Sequence, residues 1–507
     1  MIFQRTRFLP AKEMHYSVKR TIPSIVGAIG ASLLVFIGYH QAVAPLALES
    51  SLFFRFSGTS VLMFALLLYK HNHKQQERVT KGTQLITPKA FNRAIQGTGV
   101  WIPCMTKTPW YLRCWLPDAS TIVPLHIRKS DEPVHMLIAG DSGTGKSALQ
   151  HTLLLQITAR STDRIAVYDP SMEFWEHHGR ANQDLLLHPL EDTCPYWDLA
   201  AEIRNPLDAA ALAKSFIPDP VEGRTEFWQD APRRILARLF LELRKQGKGT
   251  ETLVRWLADQ ELIFDLIEGT ELEVMIDKNA HGQRSGVLAS MVMISDALRL
   301  LPANDGRSRF SFTDWSKSGR SSLFLGTRGV GEREGLRPLL SAWLDTMFSR
   351  LMEHKNGTAT WCFVDELPSL QKLPSLKTAL HEGRKYNMRF VLGFQGRAQI
   401  EQLYGRDAET LMSAPSTRIF LRSNEYAAAD WAAKNIGMPE REREVESFTS
   451  PLSFTGSGKE SVSVRTDKRT DYLVYPNEIQ NLPKLTGYLR YDRYAVPIRF
   501  PYPKLDK

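Results

Sequence analysis

"VHMLIAGDSGTGKSALQHTLLLQIT", residues 134–158, sets the fold class. Val134 to Ala139 is a mostly apolar run of the length of a buried strand, and Ala148 to Thr158 has apolar residues at helical spacing. Between them stands Gly140-Asp141-Ser142-Gly143-Thr144-Gly145-Lys146-Ser147, a G-x-x-x-x-G-K-S pattern in its required strand–loop–helix setting. Gly140, Gly143 and Gly145 let the backbone curl so that its N–H groups face a phosphate chain. The helix that follows aims its positive end at the same anion. Lys146 is then expected to reach the β- and γ-phosphates, and Ser147 to ligate Mg²⁺. The eight loop residues are thus expected to bind ATP with Mg²⁺. Gly140 to Gly143 also match the nucleophile segment of trypsin-like proteases. Nothing else in the chain reads as an all-β protease, and the phosphate loop accounts for the same residues.

A phosphate loop needs a second acidic site for the metal and the attacking water. "TATWCFVDELPSL", residues 358–370, supplies it. Trp361 to Val364 read as a buried strand that ends on Asp365-Glu366. Asp365 is expected to hold the Mg²⁺ shell and Glu366 to polarise the water as general base. Taken alone, an Asp-Glu after an apolar run is a solvated strand end; the phosphate loop in the same chain changes its weight. Further short apolar runs over 164–170, 322–327, 388–395 and 417–423 also read as buried strands. Strands alternating with helices indicate an α/β fold with a mostly parallel sheet. Ligands in such sheets bind beyond the carboxyl ends of strands. Gly140, Asp365 and Gln395 each follow such an end, so one site is expected to gather all three.

The chain has 507 residues, enough for two or three domains, and a formal net charge of +9. That charge has a location. Residues 1–93 hold twelve Lys and Arg against three Asp and Glu, and the remaining residues balance at 52 of each kind. The basic excess therefore lies beside the most hydrophobic stretch of the chain, which points to membrane topology before nucleic acid. Residues 22–39 are uncharged and long enough to span a bilayer; residues 52–69 form a second span, with Arg55 near one end. The segment between them has Glu49 and no Lys or Arg, while both outer flanks are basic. The expectation is a two-helix membrane anchor over 1–70 in a bacterial inner membrane, multi-pass, with both termini cytoplasmic. Four scattered cysteines (Cys104, Cys114, Cys194, Cys362) form no C-x-x-C pair, so they read as core thiols in a reducing compartment.

Between residues 201 and 305 the strand signal stops, and three long stretches place apolar residues at helical spacing. An all-α insertion over 201–305 is expected inside a nucleotide-binding domain formed by 71–200 and 306–507. Arg234 and Arg238 lie one turn apart there, as phosphate contacts or, more simply, as a solvated helix face. "GTRGVGEREG" (326–335) reads as a mobile glycine-rich loop, and residues 453–470 as an exposed loop.

Together these features resemble the TraD/TrwB-type coupling proteins of type IV secretion and conjugation systems. The resemblance runs over most of the chain. Besides the N-terminal hairpin and "GDSGTGKS" it rests on "VYDPSMEF", "YWDLAAEI", "FWQDAPRRIL", "FSFTDW", "FVDELPSLQKLPSL", "EGRKYNMRFVLGFQ" and "YPNEIQNLPKLTGYLRY". It implies a RecA-like P-loop ATPase, anchored in the membrane and assembled as a homo-hexamer around a channel. The partners it implies are single- and double-stranded DNA, the relaxase or relaxosome, and the secretion channel proteins. It implies that ATP hydrolysis drives DNA translocation. On the matching positions, Arg384 resembles an arginine finger given to the neighbouring subunit, and Gln395 a sensor of the γ-phosphate. The sequence departs from the pattern at Ser171-Met172, where relatives carry Lys-Gly after Asp-Pro. The chain also ends at Lys507 soon after the last block, so substrate docking is expected on other surfaces than a long C-terminal tail. Two other functions are compatible with the same residues: a nucleotide-dependent substrate receptor that does not pump, and an FtsK-like chromosome translocase, which normally adds a DNA-reading winged helix after the motor.

Overall fold

The computed structural model describes residues 78–107, 120–220, 227–277, 279–318, 320–355, 357–449 and 461–505. Among them no helix is long and apolar enough to cross a membrane. The spans expected at 22–39 and 52–69 lie outside the described residues, as does Cys114.

The strands, in chain order, begin with β1 (Arg78–Lys81), β2 (Gln84–Leu85), β3 (Trp101–Lys107), β4 (Ser120–His126), β5 (Met136–Ala139), β6 (Asp163–Asp169), β7 (Leu185–Leu187) and β8 (Tyr196–Trp197). They continue with β9 (Arg309–Phe310), β10 (Leu323–Gly326), β11 (Ala359–Val364), β12 (Met388–Phe394), β13 (Thr417–Leu421), β14 (Glu440–Thr449), β15 (Ser461–Thr470), β16 (Thr486–Tyr491) and β17 (Tyr494–Arg499). Ten of them form one sheet in the order β2-β17-β16-β13-β5-β12-β11-β6-β10-β7. From β13 to β7 every neighbour is parallel. The edge departs from that rule: β16 runs antiparallel to both β13 and β17.

Both faces of this sheet are covered, which is why its strands read as continuous apolar runs. Side chains still alternate. In β11, Trp361 and Phe363 join a core on one face, with Leu149, Leu153 and Ile157 of the helix Lys146–Thr158. Cys362 and Val364 join the core on the other face, with Leu336, Leu339 and Leu340 of the helix Val330–Leu351. Cys104, Cys194 and Cys362 are buried and free.

Between β8 and β9 the described residues contain helices and no strand: a 3-10 turn at Leu199–Glu202, then Pro206–Phe216, Phe227–Lys245, Thr250–Ala258, Gln260–Ile267, a second 3-10 turn at Glu273–Ile276 and His281–Arg299. Thr250–Ala258 and Gln260–Ile267 are two helices and not one continuous helix. Asp259 separates them by capping the second, its carboxylate accepting from the N–H groups of Glu261 and Leu262. A two-residue parallel ladder, Tyr196 and Trp197 against Arg309 and Phe310, closes the neck of the helical segment. Buried charge fixes it to the sheet layer. Glu202, fully buried, accepts from Phe312 N at 2.6 Å and Thr313 Oγ1 at 2.7 Å, while Arg350 donates to Asp208 at 2.9 Å. Arg234 is exposed, and Arg238 pairs one turn along its helix with Glu242 at 3.9 Å.

Two loop expectations are corrected. Residues 461–470 are not loop but β15, paired along its whole length with β14. The glycine-rich stretch 326–335 is loop only over 327–329: Gly326 ends β10, and from Val330 the chain is helix. Each interior glycine costs a helix roughly 1 kcal/mol. Gly331 and Gly335 are carried because the same helix buries Leu336, Leu339, Leu340, Trp343 and Phe348.

Candidate nucleotide-binding site

The phosphate loop joins β5 to the helix Lys146–Thr158. Gly143 and Gly145 have φ of 70° and 113°, left-handed values at which a side chain would be strained. The loop is held on both flanks. Asp141 N–H donates to the Arg422 carbonyl at 2.9 Å, and Asn424 N–H donates to the Asp141 carboxylate at 2.8 Å. On the other side Leu485 N–H donates to the Thr144 carbonyl at 3.0 Å. Asp141 thus serves as a clamp to the segment after β13. Ser142 and Gly143 are the loop's exposed tip, and Ser147 is half-buried at the helix start.

Lys146 is 7% exposed and donates from Nζ to the loop's own carbonyls, Gly140 at 2.8 Å and Asp141 at 3.3 Å. Burial lowers the pKa of its ammonium, and the carboxylates of Glu366, Asp365 and Asp141 oppose that. Asp365 is pushed up to about 7, first by burial and then by neighbouring Asp169; Lys146 works in the opposite direction. Burial also raises Glu366, against the hydrogen bond from Gln395 and the charges of Lys146 and Arg333. Gln395 Nε2 donates to Glu366 Oε2 at 2.7 Å.

These contacts follow from strand order. β12 lies between β5 and β11, so the phosphate loop, Gln395 and Asp365-Glu366 emerge from three adjacent parallel strands at their carboxyl ends. Arg384 is the exception. It is exposed, on the turn Gly383–Tyr386 that enters β12 at its amino end. A seven-residue strand separates it from the site, roughly 20 Å. Its own subunit's phosphate loop is out of its reach.

The residues suit a nucleotide phosphate with Mg²⁺. A backbone loop of left-handed glycines opens a 13-residue helix, a lysine waits on carbonyls that a phosphate can replace, and Asp365 Oδ1 is buried with no hydrogen-bond partner. An unpartnered carboxylate oxygen in such a place is free to accept a cation.

The model of the type IV secretion-system coupling protein DNA-binding domain matches residues 119–501. The chain belongs to this coupling-protein family. It is 28% identical over 394 residues to coupling protein TraD of Escherichia coli (strain K12), covering 75% of this chain and 53% of TraD. The chain therefore spans about half the length of that curated relative. Among solved structures it is similar to the bacterial conjugative coupling protein TrwBdeltaN70 in its unbound monoclinic form. That match has 25% identity and a TM-score of 0.70, over 85% of this chain and 95% of that one. Plasmid coupling protein TrwB in complex with ADP and Mg²⁺ shares the fold, with 24% identity, a TM-score of 0.69 and coverage of 85% and 96%.

One departure from the coupling-protein pattern has a physical account. Asp169, at the end of β6, does not point at open space. Its carboxylate accepts from Ser171 N at 2.8 Å, Ser171 Oγ at 2.6 Å and Phe174 N at 2.8 Å. Ser171 supplies two of these bonds, and Met172 takes the left-handed turn at φ 61°. Asp169 is thereby satisfied locally and acts on the site through its charge beside Asp365.

Two further residues at the site escape a reading by motif. Arg333 sits in the first turn of the helix Val330–Leu351, donates to the Pro170 carbonyl at 3.0 Å, and bears on Glu366. Reading 326–335 as loop hides its signal. Gln150 lies one turn past Ser147, and no motif position marks it.

Proposed function

We propose that this protein is a membrane-anchored ATPase that couples a DNA–relaxase complex to a type IV secretion channel and moves DNA with ATP. The observation that carries the reading is the convergence of three adjacent strand ends: phosphate loop, acidic pair and the Gln395 amide on one edge. Family membership supports the coupling role. The TrwB structures solved with ADP and Mg²⁺ and with the ATP analogue ADPNP support the choice of ligand.

In this reading Lys146 leaves the Gly140 carbonyl for the β- and γ-phosphates, where its charge counters theirs. Ser147 and Asp365 hold Mg²⁺, which supplies neutralisation of the phosphate oxygens when bound. Glu366, whose pKa is raised by burial and held down by the Gln395 hydrogen bond and the Lys146 charge, orients the attacking water and takes its proton. Gln395 senses whether a γ-phosphate is present by exchanging its bond with Glu366 for one to the phosphate. Arg384 completes a neighbouring subunit's site, which implies a ring, and a hexamer is the proposed assembly. The anchor over 1–70, with both termini cytoplasmic in a bacterial inner membrane, and the helical insertion over 201–305 complete the proposed organisation.

The test is ATP hydrolysis by the detergent-solubilised full chain, with and without single-stranded DNA, over a range of protein concentration. DNA-stimulated turnover that rises cooperatively with concentration and is lost in Lys146→Ala supports the proposal. Turnover indifferent to DNA overturns the translocase reading. Undiminished DNA transfer in cells carrying Glu366→Gln would favour a receptor that does not pump.

A further inference from the structure

Gln150 has a position that packing alone does not explain. It lies three residues after Ser147 on the helix Lys146–Thr158, on the same face one turn along. It is fully buried, and neither Nε2 nor Oε1 makes a hydrogen bond of ordinary geometry, although the amide lies near enough to the Asp365 carboxylate to lower that group's pKa. A buried amide without partners is costly, and an apolar side chain of the same volume would avoid that cost.

What the amide faces gives the reason. A Cβ on Gly393, in β12, would lie 2.8 Å from Gln150 Nε2 and 2.2 Å from the Asp365 carbonyl oxygen. The glycine is there because the Asp365 turn and the Gln150 amide crowd the same spot. Asp365 Oδ1, beside them, is likewise buried and unpartnered. Two orphaned polar groups of matching kind, an amide donor and a carboxylate acceptor, therefore stand together one helical turn behind the proposed metal ligand Ser147.

We propose that Gln150 is a positioning residue for Asp365: its Nε2 donates to the Asp365 carboxylate, directly or through one water molecule, and fixes the orientation in which that carboxylate holds Mg²⁺. The inference rests on the nucleotide-site reading above. Gln150 does not touch nucleotide or metal. Its contribution is the outer-shell hydrogen bond that a ligating carboxylate ordinarily requires, whose loss typically weakens metal binding about 10–100-fold.

The experiment uses the full chain in detergent and the variants Gln150→Met, which keeps the volume, and Gln150→Leu. Three quantities are read: affinity for ADP in EDTA, affinity for Mg²⁺ in the presence of saturating ADP, and the melting temperature without nucleotide or metal. Both variants are expected to bind ADP in EDTA within about twofold of wild type and to lose roughly tenfold or more in Mg²⁺ affinity. Their melting temperature should be unchanged or raised, because an unpaired amide has left the core. Wild-type Mg²⁺ affinity in a folded variant overturns the inference. So does a fall in melting temperature with a parallel loss of ADP binding in EDTA, which would make Gln150 a packing residue. Wild-type protein that binds ADP no better with Mg²⁺ than in EDTA removes the nucleotide-site reading itself.

Discussion

Gln395 Nε2 and Glu366 Oε2 are 2.7 Å apart, although 29 residues separate them in the chain, because β12 and β11 are parallel neighbours that end side by side. The amide gives the glutamate a donor that favours its ionised form against burial. It also makes the two side chains one unit, since whatever draws Gln395 away changes the carboxylate proposed to handle the water.

Glu366→Gln should therefore retain nucleotide affinity and lose turnover by about 100-fold or more, the usual worth of a positioned general base. Gln395→Ala should lower turnover by a smaller factor, with nucleotide affinity again close to wild type. Single-turnover hydrolysis beside equilibrium nucleotide binding separates the two quantities. Turnover in Glu366→Gln within a few-fold of wild type would remove the glutamate from the role of base.

Arg384 stands at the other end of the same strand, exposed and far from its own phosphate loop. If it serves a neighbour, Arg384→Ala and Lys146→Ala proteins should each be inactive alone and regain activity when mixed, because some interfaces then pair an intact loop with an intact arginine. A recovery of several per cent to tens of per cent of wild-type turnover is expected. Mixed assemblies confirmed by differential tagging, yet without recovery, would end the assignment in trans.

Gly393 offers a sharper stability test. An alanine there places Cβ 2.2 Å from the Asp365 carbonyl oxygen, a backbone atom that cannot swing aside. Overpacking of this kind costs about 1–3 kcal/mol. Gly393→Ala should lower the stability measured by urea denaturation by that amount and weaken Mg²⁺-dependent nucleotide binding, since the strain falls on the turn that carries Asp365. An unchanged midpoint in urea would contradict the packing described.

Much of the site is legible in the sequence because its chemistry is local. Gly140 to Ser147 and Asp365-Glu366 announce themselves through residue type, spacing and the strands before them. Their relation to Gln395 is only partly legible: three strand ends are visible, but that β12 lies between β5 and β11 is a fact of sheet order, which periodicity does not encode. Gln150 is invisible because its meaning is a helical i,i+3 relation to Ser147 plus a glycine 243 residues away. Charge misleads elsewhere. Glu440-Arg441-Glu442-Arg443-Glu444 alternates charges with period two, and its partner strand, Ser461–Thr470, is polar as well. With apolar residues confined to one end of the ribbon (Val445, Phe448, Val462 and Val464), most of its length lacks the signal by which strands are usually found.

The last prediction concerns pH, and His135 carries it. The ring lies between two elements: Phe390 N–H donates to Nδ1 at 3.1 Å, so Nε2 bears the proton and donates to the Leu380 carbonyl at 2.9 Å. It thus ties the helix before Arg384 to the start of β12. Burial pulls its pKa down to about 4; the Leu380 carbonyl works against this, and nearby His381 adds to it. In the unfolded chain the same imidazole titrates near 6.5. Between about pH 6.5 and 4 the unfolded state binds a proton that the folded state refuses, so stability is lost as the pH falls through this window and the loss levels off below about 4. From pH 7 to pH 5 the share of His135 is about 2 kcal/mol. Burial and its histidine neighbours hold His178 near 4 as well, and it adds a similar slope, so the comparison must isolate one ring. His135→Gln leaves His178 in place and removes only the proton-linked part at 135. Urea denaturation of both proteins at pH 7 and pH 5 should show wild type losing about 2 kcal/mol more than the variant over that interval. Equal losses would mean that His135 takes up a proton in the folded protein as readily as in the unfolded chain, and that its two hydrogen bonds do not hold it neutral.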